Sequence, residues 1–314
     1  GKAWKNLARD EGLPRTVVNR ILETRDAKGQ RSLWLATEQG LVIREKGSWT
    51  LVDSRQGFPN NVIRSLHVAT SPDGVRTVWA GTFGGLVRMV SGTWLSFSTQ
   101  NGLPDNVSFA LGETRHPEAF WVGFLGGGLA RFENGQWHTY GEDSEVPDRL
   151  IMRFLSTEDG SGRSTLWVGT RGSGLLRFKD GRWNRFTEKD GLPDSWVYSI
   201  HERVLPNGQR ELWIGTRNGA ARMVDGRWTS FGDGKAIPRS PILAFCETTE
   251  PGKPKQFWIA TRGAGLAKEV GKGWQIITTA DGLCNIHVTA LLETRDPSGH
   301  WLWAGTYNGL SRLR

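Results

Sequence analysis

The chain has 314 residues, 41 of them Gly and 13 Pro, and a formal net charge of +8. Length alone admits two domains, but the density of turn residues and the scarcity of helical periodicity exclude a helical chain. No apolar run approaches the roughly 20 residues of a membrane span and no signal-peptide pattern opens the chain, so Gly1 is expected to begin an excised or processed segment. The positive balance favours anionic over cationic partners.

In chain order the first feature is Trp4, followed by Asp10-Glu11-Gly12-Leu13-Pro14. A repeat then begins. One Trp recurs at Trp34, Trp79, Trp121, Trp167, Trp213, Trp258 and Trp303, at intervals of 42 to 46 residues. A second recurs at Trp49, Trp94, Trp137, Trp183, Trp228 and Trp274, 15 or 16 residues after its partner. Trp303 has no partner downstream, and Trp4 supplies it. Fourteen of the 16 Trp are thereby in register.

A period near 45 fits helical repeats or propeller blades, and the local patterning separates them. Residues 62–68, 107–111 and 288–292 are short apolar stretches rich in branched side chains, as are Leu212-Trp213-Ile214-Gly215-Thr216 and Leu-Leu-Arg-Phe at 175–178. Turn signals separate such stretches: Pro72-Asp73-Gly74, Asn134-Gly135, Pro206-Asn207-Gly208 and Asp225-Gly226. Each repeat therefore predicts four antiparallel strands, A to D. In the fifth they fall near 197–202, 211–216, 220–224 and 227–231. Such sheets are apolar on both faces and must stack around an axis, with the Trp pairs as wedges between them. The last repeat supplies only strands A to C, and residues 4–8 supply its strand D. The fold predicted is all-β: one seven-bladed β-propeller spanning 1–314, its last blade built from about 285–314 plus 1–10.

Two loop positions vary while their flanks repeat. After Gly-Thr, in the B–C loop, stand Glu38, Phe83, Leu125, Arg171, Arg217, Arg262 and Tyr307. Before strand A, in the D–A loop, stand Arg15, Asn60, Asp105, Arg149, Asp194, Arg239 and Asn285. Both loops share one face of a propeller. Forked guanidiniums suit carboxylates, sulfates and phosphates, and aromatic faces suit sugars. The candidate site is Arg149, Arg171, Arg217, Arg239 and Arg262 on one side of the rim, with Phe83, Tyr307 and Glu38 toward the other. The expectation is a shallow pocket over the axis for an acidic or polyhydroxylated ligand; the alternative is a set of solvated loop charges.

Catalytic and metal signatures are missing. His67, His116, His138, His201, His287 and His300 make no ligand spacing, and the start of a His-Glu-x-x-His match at His201-Glu202 fails at Leu205. His287 opens the last strand A on the ligand face. Gly172-Ser173-Gly174 and Gly263-Ala264-Gly265 join strands and open no helix, so they are turn glycines. Cys246 and Cys284 fall too far apart along the strand direction for a disulfide and are expected as free thiols. Glu23, Glu113, Glu202, Glu247 and Glu293 recur after strand A toward the opposite face, which points to a structural bond between blades. The aromatics belong to strand registers rather than to a continuous basic stripe, which argues against nucleic acid.

Leu-Trp-Val-Gly-Thr-Arg-Gly-Ser-Gly-Leu-Leu-Arg-Phe (166–178), Gly-Arg-Trp-Asn-Arg-Phe-Thr (181–187) and Asp-Gly-Leu-Pro-Asp (190–194) resemble the two-component regulator propeller repeat. The resemblance covers all seven repeats. It implies a periplasmic sensor domain of a bacterial hybrid signalling protein, with no cofactor, a glycan or anionic small molecule as ligand, an output domain elsewhere in the parent protein, and a possible homodimer. Larger members commonly carry two such rings and an immunoglobulin-like module; this chain has one ring. A protein–protein interaction scaffold is the alternative, and a propeller lyase or hydrolase, without any paired acid–base signature, ranks below both.

Overall fold

Each repeat is short, turn-rich and apolar on two faces, and each becomes one four-stranded antiparallel sheet. The computed structural model describes residues 3–313 except 27, 71–75, 91, 116–117, 134–135, 141–145, 147, 251, 253 and 297–298. The expected turns at Pro72-Asp73-Gly74 and Asn134-Gly135, and His116, lie outside the described residues. Seven sheets form a closed ring, and the innermost strands of neighbouring blades face one another all the way round. These innermost strands are Val18–Arg25, Ile63–Thr70, Ser108–Arg115, Ile151–Glu158, Val197–Val204, Ile242–Thr248 and Val288–Asp296. The Asp225-Gly226 turn takes φ of 49° and 78°, the left-handed pair that a tight hairpin between the third and outer strands requires.

The core lies between blades rather than within them. Seven apolar clusters occupy the seven blade interfaces. The inner Trp of one blade meets the outer Trp of the next: Trp34 and Trp94 stand edge to face at 6.5 Å, Trp213 and Trp274 at 6.2 Å. The second strand of blade five, Arg210–Thr216, is buried at every residue but its first, because another blade covers each face. Burying an indole removes on the order of 200 Å² of surface, but its N–H then needs an acceptor. Five indoles find it on the innermost strand of their own blade. Trp34, Trp121, Trp167, Trp258 and Trp303 donate to Thr24, Thr114, Thr157, Thr248 and Thr294 Oγ1 at 2.7–3.2 Å. Trp213 donates instead to Glu211 at 2.9 Å.

In six of the seven blades a basic residue on the third strand, Arg in five and Lys in one, closes the inner Trp from the other side. Arg88, Arg131, Arg177, Arg222, Lys268 and Arg312 lie 5.2–5.9 Å from the indoles of Trp79, Trp121, Trp167, Trp213, Trp258 and Trp303. Part of the basic charge is thus built into the blade stack. The glycine before Thr has a steric cause as well. A Cβ on Gly215 would stand 2.1 Å from Ser199 Oγ and 2.6 Å from the Ile242 carbonyl of the next blade.

The ring closes with Lys5–Asn6, which pairs antiparallel with Arg312 and Ser311 beside two further C-terminal strands. The closing strand is shorter than the 4–8 expected, because Leu7–Asp10 turns into a short helix. That turn drops Leu7 into the cluster between blades seven and one, and Trp4 packs against the cluster between blades six and seven. Both interfaces of blade seven therefore depend on the first residues of the chain.

Candidate functional site

The loop entering each innermost strand is set by local chemistry. In four of them a 3₁₀ turn with a capping box ends on Gly57, Gly102, Gly191 or Gly282 at φ of 89–115°. The next residue, Phe58, Leu103, Leu192 or Leu283, is buried between blades. An Asx turn follows: the side chains of Asn60, Asp105, Asp148, Asp194 and Asn285 accept from the backbone N–H two residues on, at 2.8–3.0 Å. The varied D–A position is therefore used largely for folding. In blade four its equivalent is Asp148, one residue before Arg149.

The varied B–C position is fixed differently. The backbone N–H of Glu38, Phe83, Leu125, Arg171, Arg217, Arg262 and Tyr307 donates to the carbonyl of the residue just before its own innermost strand: Val17, Val62, Val107, Leu150, Trp196, Pro241 and His287, at 2.9–3.3 Å. One repeated bond plants five kinds of side chain around the axis, Arg serving blades four, five and six. All but Arg217 rim a channel of about 1180 Å³ that runs down the innermost strands, deeper than the shallow pocket expected.

Of the eight candidate residues, Glu38, Phe83, Arg171, Arg262 and Tyr307 line this upper mouth. The other three do not. Arg217 is held by Asp194, Nε and Nη2 both 3.0 Å from Oδ2. Arg149 donates Nε to the Gly126 carbonyl at 2.8 Å, and Arg239 is exposed in its loop. The mouth is strongly aromatic. Arg171 and Arg217 lie 4.6 and 4.4 Å from the Trp196 ring, Arg262 5.4 Å from Tyr198, and His287 stacks on Tyr307 at 4.9 Å. Opposite, Arg64 pairs with Glu38 at 3.2 Å and covers Phe83 at 5.0 Å.

Just beneath is a second ring that the sequence reading missed. Every innermost strand carries a bulge at its second residue. Those seven residues, Asn19, Arg64, Phe109, Met152, Tyr198, Leu243 and Thr289, all line the channel. A bulge re-aims a side chain that strict alternation would send elsewhere. Trp196 was missed too, although it is one of the two Trp outside the repeat.

Deeper still are Arg20 and Arg153. Burial pulls the Arg20 guanidinium down to about 10. Arg153 is drawn well below its ordinary value, by burial first and then by the Arg20 charge. Further down, the lining mixes the buried apolar residues Leu66, Phe154, Ile200, Phe245 and Leu291 with the polar His67, Glu113, His201 and Glu202.

The lower end carries the recurring acids. His67 and Glu113 (3.6 Å), Arg203 and Glu247 (3.5 Å), and the Thr249 N–H and Glu293 (2.7 Å) join adjacent blades. Glu23 pairs with Arg31, and Glu202 with Arg210 at 3.0 Å, within their blades. Burial pushes the Glu247 carboxyl up, but His201, Lys255 and Arg203 outweigh it and hold it below the usual value. Among the described residues no His, Cys, Asp and Glu group has the makings of a metal site. Cys246 is buried, which pushes its thiol up to about 12; Cys284 Sγ lies 3.1 Å from Thr306 Oγ1, and no disulfide joins the two.

No family model and no curated protein sequence matches the chain. Solved structures do. The extracellular domain assigned to the hybrid two-component system BT3049 of B. thetaiotaomicron superposes with a TM-score of 0.76 at 20% identity, over 100% of this chain and 42% of that domain. The extracellular domain assigned to the one-component system BT4673 of the same organism gives 0.68 at 16%, over 99% and 42%. PorZ, a surface component of the type-IX secretion system of Porphyromonas gingivalis, gives 0.66 at 15%, over 94% and 46%. This chain spans less than half the length of each. No helix among the described residues is long and apolar enough to cross a membrane.

Proposed function

We propose that this chain is the ligand-binding propeller of a bacterial signalling protein, holding an acidic oligosaccharide at the upper mouth of its channel and doing no chemistry on it. The observation that carries the reading is the contrast in the B–C loop. Its backbone bond is the same in seven blades, while the side chain it presents changes around the ring, from Glu38, Phe83 and Leu125 through three arginines in blades four to six to Tyr307. Arg171 and Arg262 supply forked donors for carboxylates or sulfates, and Phe83 and Tyr307 supply faces for sugar rings. The extracytoplasmic placement, an output domain in the parent protein and a change in the relation of two protomers on binding belong to the same reading. The first two are supported by the two-component and one-component neighbours; the third follows the rule that a ligand shifts an equilibrium by its differential affinity for two states.

Calorimetric titration with uronic and sulfated oligosaccharides, and with neutral ones of equal length, tests it. The wild type is expected to bind the acidic set. The double variant Arg171→Ala, Arg262→Ala is expected to lose at least about tenfold, as removal of charge-assisted bonds predicts. Undiminished binding by that variant removes the mouth from the reading; failure of every acidic oligosaccharide removes the ligand class.

A further inference from the structure

The third residue of each innermost strand faces a Gly or Ala on the second strand. Ser65 faces Gly81, Ala110 faces Gly123, Ser199 faces Gly215, Ala244 faces Ala260 and Ala290 faces Gly305. Five blades thus place Ser or Ala there, at a close contact. Blades one and four place Arg20 and Arg153 there, opposite Ala36 and Gly169. In a ring of seven these blades stand three steps apart one way and four the other, so they look at each other across the axis.

Both arginines line the channel. Among the described residues neither makes a hydrogen bond or ion pair with its side chain, and Arg153 Nε is buried without a partner. Two facing guanidiniums without a carboxylate repel each other and lose hydration, a cost that the fold does not require, since five blades do without it.

We propose that Arg20 and Arg153 form an oxyanion site inside the channel, in which one sulfate, phosphate or carboxylate group bridges the two guanidiniums. Each fork can donate two parallel N–H bonds to such a group. The anion is either a free ion or the acidic substituent of a sugar reaching down from the mouth; only the second source rests on the function proposed above.

The test is thermal unfolding of the wild type, Arg20→Ala, Arg153→Ala and the double variant, with sodium sulfate titrated against sodium chloride of equal ionic strength. Alanine is the residue that three blades already use at this position, so the variants keep the ring. Sulfate is expected to raise the wild-type midpoint saturably. Each single variant is expected to need at least about tenfold more sulfate, and the double variant to show no saturable response. The double variant is also expected to melt higher than the wild type in low-salt, sulfate-free buffer, because it no longer sets two unpaired, half-buried like charges against each other. An unchanged sulfate response in the double variant, or a lower melting point without anion, overturns the proposal. The acidic oligosaccharides form the second arm. If none binds while sulfate still acts through the two arginines, the sugar-receptor reading fails and the anion site stands. If they bind at the mouth while sulfate ignores the pair, the reverse holds.

Discussion

The two ends of the channel are built from the same strands by opposite rules. At the lower end the blades repeat one another: a Glu near the end of the innermost strand in five of them, a basic or backbone partner beside it, and a Thr under each of five indoles. At the upper end the backbone repeats and the side chains do not. In a ring of near-identical blades, a residue needed for stacking is needed seven times, so repetition marks stability. A residue needed by one ligand is needed once, so exceptions mark recognition. Arg20 and Arg153 belong to the second group although they sit on a core strand.

That division is broken or sharpened first at the closure, where one short segment serves two interfaces. Deleting residues 1–10 removes Trp4 and Leu7 and leaves blade seven with three strands. Each lost large side chain costs about 3–5 kcal/mol, a large part of a domain's total stability. The truncated chain is expected to melt at least about 10 °C lower and to lose hydrogen-exchange protection first in blades seven and one. A truncation with an unchanged melting point would mean that the ring does not close through its first residues.

Much of this was legible in the sequence, for a physical reason. Fourteen Trp in register record the seven wedges directly, and the count at the two ends records the closure. The upper mouth was legible for half of its members. Glu38, Phe83, Arg171, Arg262 and Tyr307 stand at a varied position between fixed flanks, and they line the channel. Arg149 and Arg239 were chosen by the same logic in the D–A loop. There it does not work, because Asn and Asp at that position close a local turn on their own backbone, which spacing alone does not reveal. The second ring was illegible because the bulge shifts the register by one, and period-two alternation then assigns the wrong face. Arg20 and Arg153 were illegible because a cation on a strand reads as solvent-facing until the ring closes around it.

A smaller effect is expected where repetition serves a single hydrogen bond. Thr114→Val keeps the shape beside Trp121 but removes the acceptor of its indole N–H, 3.2 Å away. A buried donor left unpaired costs about 1–3 kcal/mol. Urea unfolding should show a lower midpoint with an unchanged slope. Glu247 gives a smaller change still, and one that depends on pH. Its carboxyl is held below the ordinary value of 4.5, so the stability it supplies is present above that pH and is lost as the pH falls through the lowered value. Glu247→Gln should flatten the acid limb of the stability curve by about 0.5 kcal/mol, because the cost of burying the carboxylate offsets much of what its cationic neighbours supply. An identical acid limb in the variant would detach the lower-end acids from blade stacking.

The smallest effect is expected at the upper mouth, and it is the sharpest test of the contrast. Arg171→Ala removes an exposed side chain whose one ring contact, with Trp196, is shared by Arg217. An exposed cation–π contact contributes about 0.5–1 kcal/mol, and surface substitutions usually stay within about 0.5 kcal/mol. The variant should therefore unfold within about 0.5 kcal/mol of the wild type in urea. Its backbone N–H bond to the Leu150 carbonyl, 3.0 Å, does not depend on the side chain. A loss above about 2 kcal/mol would show that blade four needs this arginine to stack, and would move the upper mouth from the recognition side of the comparison to the structural one.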